Sequence, residues 1–380
     1  MADNRIYHEC IQLTSQVKFC PNAFRVDMYR GCDFGCKYCF ANMEAFNETG
    51  TGLTKWREAR LNDIRNKFVT AFDTEKESKS VVVELLRNRV PLHCGGMSDP
   101  FQSREWDLHL TYELIKLCNE YDYPIVFSTK TAHLPEEYFE ILNPKLHAFQ
   151  ISIMGWSDEY VRTWETNTPS ASERVAFVRE MRDRGFWCSV RIQPVIDVDE
   201  CEQLIHKLGS TPSYYSIEHL HVIADSYAAK NALIKHCKNP EDFEQSSAII
   251  EFKRDVKLNN MIRLKMAANS HGVLIGAADN DLHCHSQSRC CCGIDLAGEA
   301  FSNYLKYNEV YFSTGPAKID ELFVPKSNCR RHMNIGRGKP EVYVEDMVKN
   351  YIKNNPNLIP DELRDNVERQ LFGKVQKRLF

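Results

Sequence analysis

Between residues 24 and 225 the chain alternates between two hydrophobic periods, and this restricts its fold more than any other feature. Short β-rich apolar runs occur at "AFRVDMYRGC" (23–32), "RVPLHCGGMSDP" (89–100), "PIVFSTK" (124–130), "HAFQISIM" (147–154), "FWCSVRIQPVI" (186–196) and "YSIEHLHVIAD" (215–225). Segments with helical spacing lie between them. A polar, helix-rich stretch covers roughly 54–88, and "EWDLHLTYELIKLCNEY" (105–121) puts Leu110, Leu114, Leu117 and Cys118 on one face. "LPEEYFEILNP" (134–144) is bounded by prolines. "SASERVAFVREMRDRG" (170–185) opens on Ser170 and Glu173, spaced as a capping box, and ends at Gly185. Strands alternating with helices call for a parallel sheet. Right-handed crossovers curl such a sheet into a barrel or part of one. The expected fold is α/β, a partial (β/α)6 TIM-type barrel over residues 1–225. Chemistry in such a barrel sits at the carboxyl ends of the strands. Those ends carry Cys32 onward, Gly95–Ser98, Ser128–Lys130, Ser152, Gln193 and Asp225.

After about residue 226 the alternation stops. Helical segments are expected over 226–270, then an irregular cysteine-rich region, then a charged helical tail over 340–380. Residues 226–380 are therefore expected to form a mainly helical, cysteine-rich extension. With 43% hydrophobic and 26% charged residues, the 380-residue chain has the composition of a globular protein. No stretch approaches the length needed to cross a bilayer, and "MADNRIYHEC" lacks a basic start followed by an apolar run, so a cytoplasmic location is expected. A net charge of −4 gives no chain-wide attraction to nucleic acid.

Fifteen cysteines is a high count for such a chain, and clustered thiols in a reducing compartment point to metal or redox chemistry more than to disulfides. Cys118 and Cys188 sit in apolar helix and strand patterns and read as small buried hydrophobes. Cys32, Cys36 and Cys39 differ. They fall within eight positions, in "RGCDFGCKYCFANM", at the end of the first strand. A 4Fe–4S cluster normally takes four thiolates. Three leave one iron open, the arrangement by which catalytic metal sites bind a small molecule directly. A zinc site lacking its fourth ligand, and chance spacing, are the alternatives.

Cys-x3-Cys-x2-Cys, with Tyr38 and Phe40 flanking Cys39, resembles the signature of radical S-adenosylmethionine (SAM) enzymes. The resemblance implies a 4Fe–4S cluster, SAM bound at the open iron, and a 5′-deoxyadenosyl radical that abstracts hydrogen from substrate. It also implies a partial (β/α)6 barrel and a reductant such as flavodoxin or ferredoxin. "GMSDPFQ", "FSTKT", "FQISIM" and "WETNTPSASERVAFVREMRDRGFWCSVRIQPVI" look like the spore photoproduct lyase-like branch, often labelled DNA repair photolyases. The likeness runs over roughly residues 24–225. It implies SAM contacts from Gly95, Gly96 and Ser98, from Lys130 to the carboxylate, and from Ser152 to the ribose, with Gln193 at a neighbouring strand end. It makes DNA or RNA an expected substrate, through lesion repair or base modification. A peptide, protein or small molecule is the alternative, and a non-catalytic metal-binding protein a further one. Where photoproduct lyases carry a hydrogen-donating cysteine this chain has Gly96; Cys94, two residues earlier, is either a substitute or a packed thiol. Cys94, Tyr29 and Tyr38 are the candidate radical relays.

A second group follows in "HCHSQSRCCCGID" (283–295), with Cys329 beyond it. Cys284, Cys290, Cys292 and Cys329 supply enough thiolates for a second 4Fe–4S cluster; with His283 or His285, zinc is the alternative, and reduced structural thiols another. Around Cys329 the chain is locally basic, with Lys326, Arg330, Arg331, Arg337 and Lys339, a candidate phosphate contact or a solvated loop.

Overall fold

The computed structural model describes residues 7–8, 11–13, 22, 24–41, 56–73, 78, 80–224, 233–246, 249–279, 282, 285–288 and 290–301. Cys284, Cys329, His283, Asp225, the basic stretch 326–339 and the expected tail 340–380 lie outside the described residues.

Eight strands form one sheet in chain order: β1 (Ile11–Leu13), β2 (Phe24–Val26), β3 (Leu92–Cys94), β4 (Ile125–Thr129), β5 (His147–Ser152), β6 (Trp187–Val195), β7 (Tyr214–His219) and β8 (Ile275–Ala277). All pairs are parallel except β1 with β2. Successive parallel neighbours joined by helices give an open, partial TIM-type α/β barrel, as the alternation implied. β4 and β5 are buried along their whole length because both faces are covered.

The two faces have different partners. Outward side chains such as Cys94, Phe127, Phe149, Ile151, Val190 and Ile217 join the large core with the helices. These include α4 (Leu110–Glu120), α7 (Ala171–Asp183) and α8 (Val198–Leu208). Cys118 and Cys188 are fully buried in this core, as expected of small hydrophobes. Inward side chains Val126, Ala148, Trp187 and Tyr214 belong to a separate apolar cluster near the amino ends of the strands. Cys290, Cys292, Ile294 and Phe301 complete it, so the cysteine-rich segment forms the floor of the barrel. Gly293 permits this approach: its φ is +69°, and a Cβ there would strike the Tyr214 ring.

Several boundaries differ from expectation. The helix expected over 105–121 is two, Glu105–Leu108 and Leu110–Glu120, because His109 adopts φ 54°. Within 226–270, Phe243–Ser246 and Ile249–Phe252 pair antiparallel, and Ile249–Phe252 also pairs with His221–Ile223; among the described residues of this span only Arg254–Ser270 (α9) is a long helix. β8, beyond residue 225, hydrogen-bonds to β7, so the sheet continues past the six expected strands. The capping box at Ser170 forms as read, with both reciprocal bonds to Glu173. Among the described residues no helix is long and apolar enough to cross a membrane.

Candidate active site at the carboxyl end of the barrel

The loop carrying Cys32, Cys36 and Cys39 leaves the short strand Tyr29–Arg30 and lies across the carboxyl ends of the strands. Main-chain bonds shape it. Cys39 N–H donates to the Cys36 carbonyl at 3.2 Å, Lys37 N–H to the Trp164 carbonyl at 2.9 Å, and Asn167 N–H to the Phe34 carbonyl at 3.1 Å. Gln102 donates to the Gly31 carbonyl at 3.1 Å, and the Asp33 carboxylate accepts from Ser103. The three thiols remain half-buried and unpaired by disulfides. Cys32 and Cys36 lie close enough to influence one another, as do Cys36 and Cys39. Burial raises the Cys32 thiol well above its ordinary range and pushes Cys36 up to about 12, with Lys130 acting to lower Cys36 and Glu165 to raise it. Thiols so placed hold their protons until a cation replaces them. Among the described residues no three His, Cys, Asp or Glu side chains could hold one metal ion. A cube of four irons instead spreads its thiolates over separate corners, one per iron.

Glu165, which sequence reading did not single out, is the hub beside this loop. It sits between α6 (Asp158–Trp164) and α7 and pairs through its backbone with Cys36. Its fully buried carboxylate receives Arg174 at 2.6 Å, Thr168 Oγ1 at 3.0 Å and the Tyr38 hydroxyl, with Lys130 Nζ at 3.7 Å. Burial favours its neutral form, yet the charges of Arg174 and Lys130 and the Tyr38 hydroxyl outweigh burial and keep it below the usual carboxylate range. Arg174 also donates to the Ser152 carbonyl at 2.7 Å, tying the hub to β5.

The expected SAM-contacting residues converge here with different commitments. Gly95 has φ +100°, and a Cβ would collide with the Ser128 carbonyl, so this glycine serves close backbone packing in its own right. A Cβ on Gly96 would meet the Arg25 side chain. Ser98 is tied down: its hydroxyl donates to the Tyr29 carbonyl at 2.5 Å and its N–H to Asp27 at 3.3 Å. Lys130 keeps its ammonium partly exposed, 5.7 Å from the Tyr38 ring centroid. Asp99, also missed, accepts from Phe101 N–H at 2.9 Å, Thr129 Oγ1 at 2.7 Å and Lys130 N–H at 2.6 Å, and so joins the loops after β3 and β4. Gln193 accepts from Arg191 and donates to Ser216 at 3.2 Å.

The candidate radical relays Cys94, Tyr29 and Tyr38 are all buried. Cys94 is fully buried on the outward face of β3, within the helix-packed core, because strand alternation turns His93 rather than Cys94 into the barrel. The Tyr29 hydroxyl donates to buried Glu105, which also takes Tyr138 at 2.6 Å and the N–H groups of Thr111 and Tyr112. The Tyr38 hydroxyl is committed to Glu165. Of the second cysteine group, the described members Cys290 and Cys292 lie in the floor with sulfurs 3.1 Å apart.

Comparison with known proteins places this site. Residues 26–208 match the radical SAM superfamily. Uncharacterised proteins of Mycobacterium tuberculosis and Mycobacterium bovis are 26% identical over 227 residues, which is 54% of this chain and 62% of each relative, so the match spans under two thirds of those proteins. Among solved structures, a cysteine-to-serine mutant of spore photoproduct lyase matches with a TM-score of 0.52 at 14% identity, covering 70% of this chain and 78% of that one. Spore photoproduct lyase complexed with dinucleoside spore photoproduct matches equally, with a TM-score of 0.52 and 14% identity over 70% and 78%. At such identity the likeness is one of fold. The family likeness thus lies in residues 26–208, just under half of the chain, and takes in the three-cysteine loop and the strand ends around it.

Proposed function

We propose that Cys32, Cys36 and Cys39 hold three irons of a 4Fe–4S cluster and that SAM binds at the fourth. The observation that carries this reading is three half-buried thiols on one loop at the carboxyl end of the barrel, within the residues that match the radical SAM superfamily. The donor set fits: thiolates suit iron–sulfur clusters, and three of them leave an iron open to a small ligand. Once bound, cluster and SAM supply a 5′-deoxyadenosyl radical for hydrogen abstraction.

The residues of the chain do the placing. Lys130, loosely paired to Glu165, offers its ammonium to the SAM carboxylate. Ser152, at the end of β5, offers its hydroxyl to the ribose, and the backbone at Gly95–Gly96 allows close approach of the amino group. Glu165 and Arg174 fix Tyr38, and with it the loop between Cys36 and Cys39. Gln193 supports this end from β6. The test is iron and sulfide quantitation together with 5′-deoxyadenosine formation by the anaerobically reconstituted, dithionite-reduced protein. About four irons lost on changing the three cysteines to alanine, with loss of 5′-deoxyadenosine, is the expected result; unchanged iron and product overturn it.

For the substrate we favour nucleic acid, because the fold is that of an enzyme solved with a dinucleoside photoproduct. Binding of DNA or RNA that weakens steeply with salt is expected. A second reading, modification of a peptide, protein or small molecule with an auxiliary metal site, draws on the close approach of Cys290 and Cys292. It predicts salt-independent substrate binding and a second iron or zinc complement lost on changing Cys290 and Cys292.

A further inference from the structure

The barrel interior has a polar layer that the cofactor reading leaves almost unused. Above the apolar floor, β3 to β7 turn His93, Ser128, Gln150, Arg191, Gln193 and Ser216 inward. His93 Nε2 and Ser128 Oγ are 2.7 Å apart, and Ser128 donates to Gln150 at 3.2 Å. Arg191 donates to Ser128 at 2.8 Å and through Nε to Gln193 at 2.9 Å, and Gln193 reaches Ser216. Interiors of such barrels are ordinarily filled by bulky branched apolar side chains. Here serines and amides stand in their place, and Arg191 and Gln193 are only half-buried, so solvent reaches this layer from the carboxyl end.

The charge in this layer is unbalanced. A guanidinium carries five N–H donors. Those of Arg191 meet only neutral oxygens, on Gln193 and Ser128, and among the described residues Arg191 forms no ion pair with a carboxylate. Arg174, on the outer side of the same barrel, has Glu165 at 2.6 Å. Glu218, inward on neighbouring β7, feels Arg191 without pairing with it, and burial raises its carboxyl toward the neutral form. His93 is pushed down to about 4 by burial and by Arg191, so its imidazole is neutral near pH 7. A half-buried cation that meets only neutral oxygens keeps its charge free to pair with an anionic ligand, and a few polar groups in an otherwise enclosed interior are the mark of a binding site.

We infer that the barrel interior receives an anionic group of the substrate, carboxylate or phosphate, on the guanidinium of Arg191. Ser128 and Gln193 fix the orientation of the fork, and the remaining N–H groups face the ligand. Ser216 accepts from the Gln193 amide and Gln150 accepts from the Ser128 hydroxyl, which hold both in place. This rests on the reading above, in which the reaction takes place at this end of the barrel.

The experiment is calorimetric titration of the anaerobic, cluster-loaded protein with inorganic phosphate and, separately, with acetate. Saturable binding of at least one anion is expected, weakened about tenfold or more in Arg191→Gln and only partly in Arg191→Lys, which keeps the charge and loses the fork. Binding of phosphate alone assigns a phosphate ester; binding of acetate assigns a carboxylate. Thermal melts verify folding, and Arg191→Lys keeps the question open to test if Arg191→Gln fails to fold. No saturable binding to the wild type overturns the inference, as does equal binding to Arg191→Gln. The response of the reduced-cluster EPR signal to SAM is recorded on the same samples. Its absence in the wild type defeats the cofactor reading, whereas a normal response with anion binding insensitive to Arg191 defeats this inference alone. Loss of that response in Arg191→Gln, without anion binding in the wild type, assigns the guanidinium to the cofactor and also overturns it.

Discussion

The two ends of the barrel use cysteine in opposite ways. At the carboxyl end, Cys32, Cys36 and Cys39 are half-buried in a loop held by main-chain bonds and by the buried charge of Glu165. At the amino end, Cys290 and Cys292 are buried among Val126, Ala148, Trp187, Tyr214, Ile294 and Phe301. One end is polar, cross-braced and open to a ligand; the other is an apolar plug. Cysteine count alone therefore does not assign a metal site. What distinguishes the two groups is whether the thiols are left accessible by a scaffold that does not depend on them.

The largest expected effect lies at the carboxyl end. Cys32→Ala, Cys36→Ala or Cys39→Ala should each cut 5′-deoxyadenosine formation by about three orders of magnitude or more, while Cys290→Ala leaves most of it. Equal losses from both ends, read by anaerobic product assay, would erase the contrast. Next comes stability. Glu165→Ala strands Arg174 at the top, and Phe301→Ala hollows the floor; each should cost about 3–5 kcal/mol in urea unfolding. Charge and packing then support the two ends by similar amounts, and a negligible cost for either would remove it from the account.

A smaller effect separates sites within the carboxyl half. Asp279 accepts the main-chain N–H of His219 at 3.1 Å and faces its ring nitrogen at 2.9 Å. Burial alone would raise this carboxyl, but His219, His221 and Lys257 outweigh it and hold it at about 2. A carboxyl depressed in the folded state gives stability that is present above its unfolded value and lost as pH falls through the folded one. Asp279→Asn should therefore flatten the acid limb between about pH 4 and pH 2, removing about 2 kcal/mol of pH-dependent stability. Urea midpoints across that range check it. The smallest effect is Ser170→Ala, which removes the capping box of α7 and should cost about 1 kcal/mol in the same assay.

Much of the fold was legible because six strands, two of them buried on both faces, read as short apolar runs, and because helix signals such as the Ser170 box are local. β8 escaped notice: three residues with a central glycine make no pattern. The antiparallel pair Phe243–Ser246 and Ile249–Phe252 was hidden in a stretch expected to be helical, and the break at His109 depends on a backbone angle that periodicity does not reveal. The cysteine loop was legible from spacing. Glu165 was not, since its partners Tyr38, Lys130 and Arg174 come from distant segments. Arg191 left a trace: Ser189, Arg191 and Gln193 alternate with Cys188, Val190 and Ile192, a polar face in a strand otherwise fully covered. Of the two readings of Cys94, the packed thiol matches its burial; the spacing from Gly96 could not decide between them because the chain turns at Gly95.

The most direct measurement of the central claim is the EPR spectrum of the anaerobic, fully loaded and reduced protein before and after SAM is added. An iron left open by three thiolates predicts a clear change in the signal, absent when Cys36 is replaced by alanine. An identical spectrum with and without SAM would contradict it.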